Sequence, residues 1–282
     1  MKSDSRNFFC YKYMTTPLIS VLMTAYNREK YIAEAIESVL ASSYRNFELI
    51  IVDDGSGDRT VEIAKSFETR DPRVKVYVNE KNLGDYPNRN RAASYAHGKY
   101  IKYLDSDDYL YPHGLEVMVS FMERFPEAGF GIMSRGDYES PYPKMLSPKQ
   151  TFLEHFNGYG HLNRAPGSGI INLRIFRELG GFSGRNVIGD VEFWFDIART
   201  YPMVKIVDDL YWPRTHGNQQ KDTVTTIKYA DMRQEIVEKA FAHPGCPLTA
   251  EEILQVRKKI KKSSRRDRLF LFLSGVRKGL TK

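Results

Sequence analysis

Residues 18–58, LISVLMTAYNREKYIAEAIESVLASSYRNFELIIVDDGSGD, decide the fold of this 282-residue chain. A first apolar run stops at the polar pair Tyr26 and Asn27, and a second stops at the acidic pair Asp53 and Asp54. Such runs are typical of buried strands. Between the two runs, apolar residues recur at the spacing of one helix face: Ile32, Ala35, Ile36, Val39 and Leu40. The stretch therefore predicts a strand, a helix and a second strand parallel to the first.

The alternation of strands and helices continues along the chain. Helical spacing recurs in VEIAKSFETR, NRNRAASYAHG and YPHGLEVMVSFMERFPEAG, and strand-like runs occur in RVKVYVNE, KYIKYLDSDD, FGIMSRGDYES and MVKIVDDLYWPRTHG. The Pro-, Gly- and Tyr-rich stretch 141–169 is predicted to hold little regular structure, and order is expected again from SGIINLRIFRELGGF. The pattern predicts an α/β fold with a Rossmann-like, mostly parallel central sheet that helices flank on both faces.

Polar residues follow three of the predicted strands at the point where each strand ends. They are Tyr26 with Asn27, Asp53 with Asp54, and the acidic residues that begin at Asp105. The carboxyl ends of parallel strands meet at one edge of an open α/β sheet, and ligands bind along that edge. We therefore expect these three segments to form one site.

The stretch YLDSDDYLYP, residues 103–112, places Asp105, Asp107 and Asp108 within four positions. One interpretation is an acidic turn, since Asp and Ser favour turns and helix caps. The other is a site for a hard divalent cation, which takes oxygen ligands and binds through one or two carboxylates plus substrate phosphates. The position at the carboxyl end of a strand favours the cation site.

Composition argues against several classes of protein. A hydrophobic content of 41% with 27% charged residues is ordinary for a globular chain. No apolar run approaches the roughly 20 residues that span a bilayer, and the first residues lack the apolar core of a secretory signal. Cys10 and Cys246 stand near opposite ends, which favours neither a disulfide framework nor a thiolate metal site. We expect a reducing, cytoplasmic setting.

The positive charge of the chain is concentrated at its C-terminus. Residues 257–282 contain 11 Lys and Arg and one Asp, so the rest of the chain carries −3 of the formal total of +7. A mildly acidic body disfavours a nucleic-acid partner. The tail is either a helix packed on the domain or a peripheral anchor at the inner face of the cell membrane, with an apolar group that follows the basic run: Leu269, Phe270, Phe272 and Leu273.

Three ordered pieces of the chain resemble the inverting family 2 glycosyltransferases of the GT-A fold. They are residues 20–58, the stretch NLGDYPNRNRAASYAHGKYIKYLDSDD, and LGGF followed by GDVEFW. The resemblance runs from about residue 17 to residue 216. It implies an N-terminal extension at 1–16, a GT-A catalytic domain at 17–217 and a basic helical extension at 218–282. It also implies dependence on Mn²⁺ or Mg²⁺.

The resemblance implies a role for each motif residue. The nucleotide of a sugar donor would contact Thr24, Ala25, Tyr26, Asp53, Asp54, Arg89, Asp105 and Ser106. Asp107 would ligate the metal that bridges the diphosphate, and His216 is either a further metal ligand or phosphate contact, or a loop histidine without function. Asp108 orients its neighbours or caps the helix after Pro112. We expect the compensating positive charge to arrive with the substrate, which would leave the empty site acidic.

Asp190 stands at the position of the family's general base. The family usually shows Glu-Asp there, whereas this chain has Gly189-Asp190, so Glu192 is the second candidate for the base. Both acids could otherwise serve the start of the helix VEFWFDIART, and Trp194 is expected in the core. An acceptor hydroxyl that attacks in one step needs one carboxylate to take its proton, and the displacement inverts the anomeric carbon.

The sequence thus predicts a metal-dependent, inverting glycosyltransferase. It would move a sugar from a nucleoside-diphosphate sugar, in particular a UDP-sugar, to a hydroxyl of a glycan or lipid-linked glycan during polysaccharide biosynthesis. Two alternatives stay open. One is a non-catalytic module of the same fold that binds sugar nucleotides or glycans. The other is a sugar nucleotidyltransferase, which usually opens with a Gly-rich phosphate loop that MTAYNREK lacks.

Overall fold

The computed structural model of the chain describes residues 16–134, 141–216 and 225–262. Its strands are β1 (Ile19–Ala25), β2 (Phe47–Asp53), β3 (Val74–Val78), β4 (Tyr100–Tyr103), β5 (Tyr109–Leu110), β6 (Phe130–Ser134), β7 (Lys144–Leu146), β8 (Gly169–Asn172), β9 (Met203–Val207) and β10 (Tyr211–Trp212). Its helices are α1 (Ile32–Leu40), α2 (Thr60–Glu68), α3 (Asp85–Ser94), α4 (Gly114–Glu123), α5 (Pro148–Glu154), α6 (Leu173–Glu178), α7 (Gly189–Thr200), α8 (Thr226–Ala242) and α9 (250–262).

Eight of these strands form one twisted sheet in the order β3-β2-β1-β4-β8-β6-β9-β7. The pairs β3–β2, β2–β1, β1–β4 and β6–β9 are parallel, while β8 runs antiparallel to β4 and β6, and β7 antiparallel to β9. The predicted mostly parallel α/β sheet is confirmed. A separate antiparallel pair joins β5 to β10. The carboxyl ends of β1, β2, β4 and β6 therefore lie along one edge.

Both faces of the sheet are covered by apolar side chains. In β1, Ile19, Val21 and Met23 belong to a hydrophobic cluster with α1, α2 and α4, whereas Leu22 belongs to a second cluster with α3, α6, α7 and α8. This follows from the alternation of side chains along a strand. Trp194 on α7 is fully buried in the second cluster, which confirms its expected place in the core.

The prediction of little regular structure in 141–169 is wrong, because this stretch contains β7, α5 and three short helical segments, His155–Tyr159, His161–Asn163 and Pro166–Ser168, and β8 begins at its last residue. The side chain of Ser147 accepts a hydrogen bond from the amide of Gln150, and the Gln150 side chain accepts one from the Ser147 amide. Pro148, at the first helical position, has a φ already suited to the helix. These features satisfy amides that a helix start leaves unpaired, so the pattern Ser-Pro-Lys-Gln was the signal for α5.

The ends of the chain are described in part. The predicted extension at 1–16 lies outside the described residues, apart from Thr16. Residues 217–224, which include the predicted domain boundary, and residues 263–282, which include the apolar part of the tail, also lie outside them. Those predictions stay predictions. In α8 and α9, Ile236, Phe241 and Val256 pack into the second cluster. Across 16–134, 141–216 and 225–262, no helix combines the length and apolar character that crossing a bilayer requires.

Two histidines beside α5 are buried without charge. Burial lowers the pKa of His155 to about 3, and burial lowers that of His161 to about 4 despite the nearby Glu154. Nδ1 of His155 accepts a hydrogen bond of 3.0 Å from the amide of Leu162, which requires the neutral ring. Unfolding therefore releases two imidazoles that can bind protons at a higher pH than the folded protein allows.

We predict that acid destabilises the fold through these histidines. Below the unfolded pKa of about 6.5 the unfolded state binds more protons, so the free energy of unfolding falls with pH until the folded values are reached. The pair contributes a loss of about 2 kcal/mol between about pH 7 and about pH 5.5. Urea denaturation of a variant with His155→Gln and His161→Gln should show a shallower pH slope. His113→Gln, at an exposed histidine, is the control for the loss of an imidazole, and a double variant that keeps the wild-type slope would refute the assignment.

Candidate active site

The ends of β1 and β2 form one wall of the candidate site. Ala25 pairs with Asp53 in the sheet register, and the amide of Asp54 donates to the carbonyl of Ala25 over 2.8 Å. The Asp53 carboxylate accepts from the amides of Gly55 and Ser56 at 3.0 and 2.8 Å. Gly55 has a φ of +81°, a conformation that favours glycine. Asp53 thus closes the turn that follows β2.

Asp54 organises the chain that leads into α3. Its carboxylate accepts hydrogen bonds from the Asn79 side chain and from the amides of Leu83 and Gly84, at 2.8, 2.8 and 2.9 Å. The residue is 4% exposed. These three hydrogen bonds join the end of β2 to the segment between β3 and α3. The position of α3 therefore depends on Asp54.

Tyr26 extends from this wall toward solvent. It is 48% exposed, while Ala25 is buried and Thr24 is partly exposed. The turn behind it is fixed by Asn27, whose amide donates to Oγ of Ser56 and whose side-chain oxygen accepts from the amide of Gly57. The exposed ring next to a fixed turn is a surface on which a flat ligand can stack.

The acidic residues lie where β4 ends. Ligand atoms of Asp105, Asp107 and Asp108 all lie within 4.8 Å of one another, and Ser106 between them is buried. Oδ1 of Asp108 accepts a hydrogen bond of 3.0 Å from the amide of Arg214. The start of α4 receives no side-chain cap. The capping role considered for Asp108 is therefore wrong, and Asp108 instead holds the segment after β10.

An arginine and a histidine side chain meet at one oxygen of Asp107. Nε of Arg28 lies 3.1 Å from Oδ2 of Asp107, and Nε2 of His216 lies 2.9 Å from the same atom. The His216 ring stacks on Tyr31 with a centroid separation of 4.8 Å. Arg214 donates to the main-chain oxygen of Asp107 over 2.8 Å. Residues from the segment after β1 and from the segment after β10 therefore enclose Asp107.

Two buried basic side chains, Arg89 and Lys102, lie close to the acidic residues. Arg89 on α3 is 7% exposed, and its guanidinium lies 2.7 Å from Oδ1 of Asp85 and 2.8 Å from Oδ1 of Asp105. Burial alone would lower the pKa of Arg89, but Asp105 and Asp85 raise it well above its ordinary value. Lys102 is fully buried, and Nζ donates to the carbonyls of Tyr103 and Gly167.

These contacts correct the expectation that the compensating charge arrives with the substrate. Three arginines already contact the acidic residues, namely Arg28, Arg89 and Arg214, and the buried Lys102 lies close to them. Burial nevertheless raises the pKa of Asp108, with help from the charge of Asp105, and burial lowers the pKa of Lys102 to about 7. The unliganded site is therefore internally compensated rather than simply acidic.

Asp190 lies in the first turn of α7, next to α3. Burial raises the pKa of Asp190 to about 6, although hydrogen bonds with the Tyr86 side chain and the Val191 amide and the charge of Arg89 oppose the shift. A side chain at Gly189 would place its Cβ 2.9 Å from the ring of Tyr86. The Tyr86 ring therefore occupies the space of the larger residue that the family usually has before Asp190.

Glu192 contacts a different set of residues from Asp190. Oε1 of Glu192 lies 2.6 Å from Nη1 of Arg185, and its Oε2 accepts from the Ser183 hydroxyl. Arg185 also binds Glu235 on α8. Glu192 therefore joins the loop after α6 to α7 and α8, whereas Asp190 shares Tyr86 and Arg89 with the rest of the site.

The structure thus brings together the three segments that follow β1, β2 and β4, as predicted from the sequence. It adds residues that sequence reasoning missed: Arg28, Tyr86, Lys102 and Arg214. Arg28 follows Asn27 directly, but nothing local connects it to a carboxylate 79 residues away. Lys102 stands in a buried strand, where a lysine in an apolar run was the available signal of an unusual environment.

The family model described as Glycosyl transferase family 2 matches residues 20–180. An uncharacterized glycosyltransferase of Haemophilus influenzae is 37% identical over 235 residues, which cover 75% of this chain and 72% of the relative. The Escherichia coli protein UDP-Glc:alpha-D-GlcNAc-diphosphoundecaprenol beta-1,3-glucosyltransferase WfgD is 42% identical over 105 residues, 37% of this chain and 41% of the relative. The chain spans less than half the length of three other relatives, at 48%, 39% and 39%.

Solved structures share the fold. S. aureus TarS in complex with UDP-GlcNAc superimposes with a TM-score of 0.67 at 18% identity, covering 84% of this chain and 70% of TarS. The mannosyltransferase PcManGT from Pyrobaculum calidifontis, in complex with GDP-Man and Mn²⁺, gives a TM-score of 0.66 at 17% identity, covering 86% of this chain and 69% of PcManGT. These likenesses confirm the GT-A-type fold that the sequence predicted.

We predict that Arg89 stabilises the fold far more than a surface arginine does. Arg89→Met would leave Asp85 and Asp105 without their shared partner and should lower the free energy of unfolding by about 3 kcal/mol or more. Arg174→Met is the matched control, because Arg174 pairs with Glu178 at the same helical spacing on the surface, where such a pair is worth less than about 1 kcal/mol. Urea denaturation measures both, and equal losses would contradict the prediction.

Proposed function

The chain belongs to Glycosyl transferase family 2, and from this premise we propose that it is a metal-dependent, inverting glycosyltransferase. It transfers a sugar from a nucleoside-diphosphate sugar, in particular a UDP-sugar, to an acceptor hydroxyl. The acceptor is a glycan or a lipid-linked glycan, in keeping with the name of the relative WfgD. The predicted domain limits, 17–217 for catalysis and 218–282 for a basic extension, are part of the same proposal.

One observation carries the proposal. Carboxylates that follow β4 and a histidine from the segment after β10 meet at the edge where β1 and β2 end, although they are distant in sequence. The Asp190 carboxylate of α7 interacts with Arg89, which pairs with Asp105. An α/β sheet binds its ligands at this edge. The set contains what transfer from a sugar nucleotide needs: oxygen ligands for a hard cation, a surface for a base and a separate carboxylate that can accept a proton.

The nucleotide would lie across the ends of β1 and β2. Tyr26 offers an exposed ring for the base, beside the main chain of Thr24 and Ala25 and the turn that Asp53 closes. Asp105 is about one-third exposed and would face the ribose. Among the described residues, buried Nη1 of the adjacent Arg89 finds no hydrogen-bond partner. A buried unpaired donor is costly, which fits a site completed by a polar ligand.

Asp107 and His216 fit a divalent ion. The 2.9 Å between Oδ2 of Asp107 and Nε2 of His216 is close to the spacing of about 3 Å between neighbouring ligands of an ion bound at about 2.1 Å. Carboxylate oxygen suits both Mn²⁺ and Mg²⁺, and neutral imidazole is the commonest side-chain ligand of metals in proteins. When bound, Mn²⁺ or Mg²⁺ would stabilise the negative charge that develops on the diphosphate leaving group.

Asp190 would act as the general base. Its raised pKa of about 6 leaves it ionised at neutral pH, yet more basic than an ordinary aspartate. Proton transfer is most effective when the pKa of the base is near the working pH. Tyr86 and the Val191 amide hold the carboxylate in one orientation. Asp190 would take the proton of the acceptor hydroxyl as that oxygen attacks the anomeric carbon and the diphosphate leaves.

The proposed location of the reaction, at the inner face of the cell membrane, is inferred from the sequence. Peripheral contact of residues 257–282 with the inner face of the cell membrane stays a prediction, since 263–282 lie outside the described residues. The basic run at 257–262 on α9 could meet anionic headgroups. Such contact would bring a cytoplasmic enzyme close to a lipid-linked acceptor.

We predict that Asp107→Asn abolishes metal-dependent turnover while the protein stays folded. The amide keeps the shape of the side chain but lacks the charge that binds the cation. Release of UDP from UDP-sugars should fall to background with Mn²⁺ or Mg²⁺, and Mn²⁺ binding followed by electron paramagnetic resonance should weaken by at least about tenfold. Asp231→Asn, on the exposed surface of α8, is the control. Wild-type turnover by the Asp107 variant would refute the metal role.

We predict that Asp190→Asn binds the donor normally and loses transfer, with kcat lower by about 10²- to 10⁴-fold. In the wild type, kcat should fall about tenfold per unit as pH decreases below about 6, because the base becomes protonated there. Asp196→Asn, farther along α7, should keep wild-type kcat. If Glu192→Gln rather than Asp190→Asn removes activity, the base is Glu192.

A further inference from the structure

Arg28 holds the oxygen of Asp107 that the proposed metal would need. Its Nε lies 3.1 Å from Oδ2, and its Nη1 donates to the carbonyls of Tyr26 and Asn27, both at 3.1 Å. The Arg28 amide donates to the hydroxyl of Thr60 over 2.7 Å, which fixes the main chain at the start of α2. The backbone is therefore anchored, while 25% of the side chain is exposed at the mouth of the site.

The other cations near the acidic residues are held by different groups. Arg89 is buried between Asp85 and Asp105, and Lys102 is buried against two carbonyls. Arg214 contacts the main chain of Asp107 and binds Glu34 over 2.6 Å. Their anchors lie away from Oδ2 of Asp107, so they can stay in place when a ligand arrives. The Arg28 side chain cannot stay in place, because a metal ion bound to Oδ2 of Asp107 would repel the guanidinium at contact distance.

We propose that Arg28 is an exchangeable counter-ion of the donor site. Without ligand it neutralises Asp107, and when metal and donor bind it moves from that carboxylate to an oxygen of the donor's diphosphate. A guanidinium matches phosphate as well as it matches carboxylate. The exchange makes metal binding and nucleotide binding cooperative, because metal alone must displace Arg28 without offering it a new partner. This inference rests on the proposed function.

The proposal predicts opposite effects of one substitution on two ligands. Arg28→Gln removes the competitor for Asp107, so Mn²⁺ alone should bind at least about threefold tighter. The same change removes a diphosphate contact, so UDP at saturating Mn²⁺ should bind at least about tenfold more weakly. In Arg28→Gln, UDP should therefore increase the affinity for Mn²⁺ by a smaller factor than it does in the wild type. Titration calorimetry measures UDP binding, and electron paramagnetic resonance of free Mn²⁺ measures metal binding.

Arg59→Gln is the matched control. Arg59 is an exposed arginine beside the start of α2, paired with Glu29 at 3.5 Å, so its substitution removes the same charge from the neighbouring turn. Both affinities should stay within about twofold of wild type. Arg28→Lys, which keeps the charge without the planar fork, should give values between those of wild type and Arg28→Gln, and it serves if the glutamine variant does not fold.

The outcomes separate the inference from the function on which it rests. Wild-type protein that binds neither Mn²⁺ nor UDP refutes the proposed function. Wild-type protein that binds both, with Arg28→Gln showing unchanged or weaker Mn²⁺ binding, refutes the exchange alone. An unchanged UDP affinity in Arg28→Gln also refutes it. An equal gain in Mn²⁺ affinity in Arg59→Gln would mean that general electrostatics, rather than contact with Asp107, sets the metal affinity.

Discussion

The guanidinium of Arg89, buried between Asp85 and Asp105, is the interaction around which the site is arranged. A charge removed from water is tolerated when it is paired and hydrogen-bonded, so α3 must stay against the end of β4. The same helix carries Tyr86, which holds Asp190, and Asn88, which binds the carbonyl of Val52 in β2. One helix thereby sets the distances between the end of β2, the acidic residues that follow β4 and Asp190.

The second organising feature is charge balance. The acidic residues that follow β4 lie close to three basic side chains. These are Lys102 in β4, Arg28 in the segment after β1 and Arg214 in the segment after β10. Mutual repulsion among the carboxylates is therefore reduced before any ligand binds, although Asp105 and Asp107 still help burial to raise the pKa of Asp108. On this view, donor binding replaces one set of ion pairs by another, and its free energy depends on the difference between them. That difference can be much smaller than the strength of either set.

Prediction from the sequence was accurate where local patterns report on structure. Apolar runs and helical spacing identified β1, α1, β2 and the mostly parallel sheet, because strands and helices impose their periodicity on the chain directly. It failed on 141–169, where composition suggested a loop but the cap formed by Ser147 and Gln150 starts α5. It also misjudged the empty site, because the cations that balance Asp107 come from positions whose proximity no local pattern encodes.

The sequence by itself determined the strand ends, the acidic residues that follow β4 and the family resemblance, since all of these are contiguous patterns. Tertiary structure decided how these residues are used. It placed Arg28 and His216 on one oxygen of Asp107, buried Arg89 against Asp105 and filled the space beside Gly189 with the ring of Tyr86. Charge compensation and pKa shifts depend on distance and burial. Neither quantity exists along an extended chain, and both arise when the strands align at one edge.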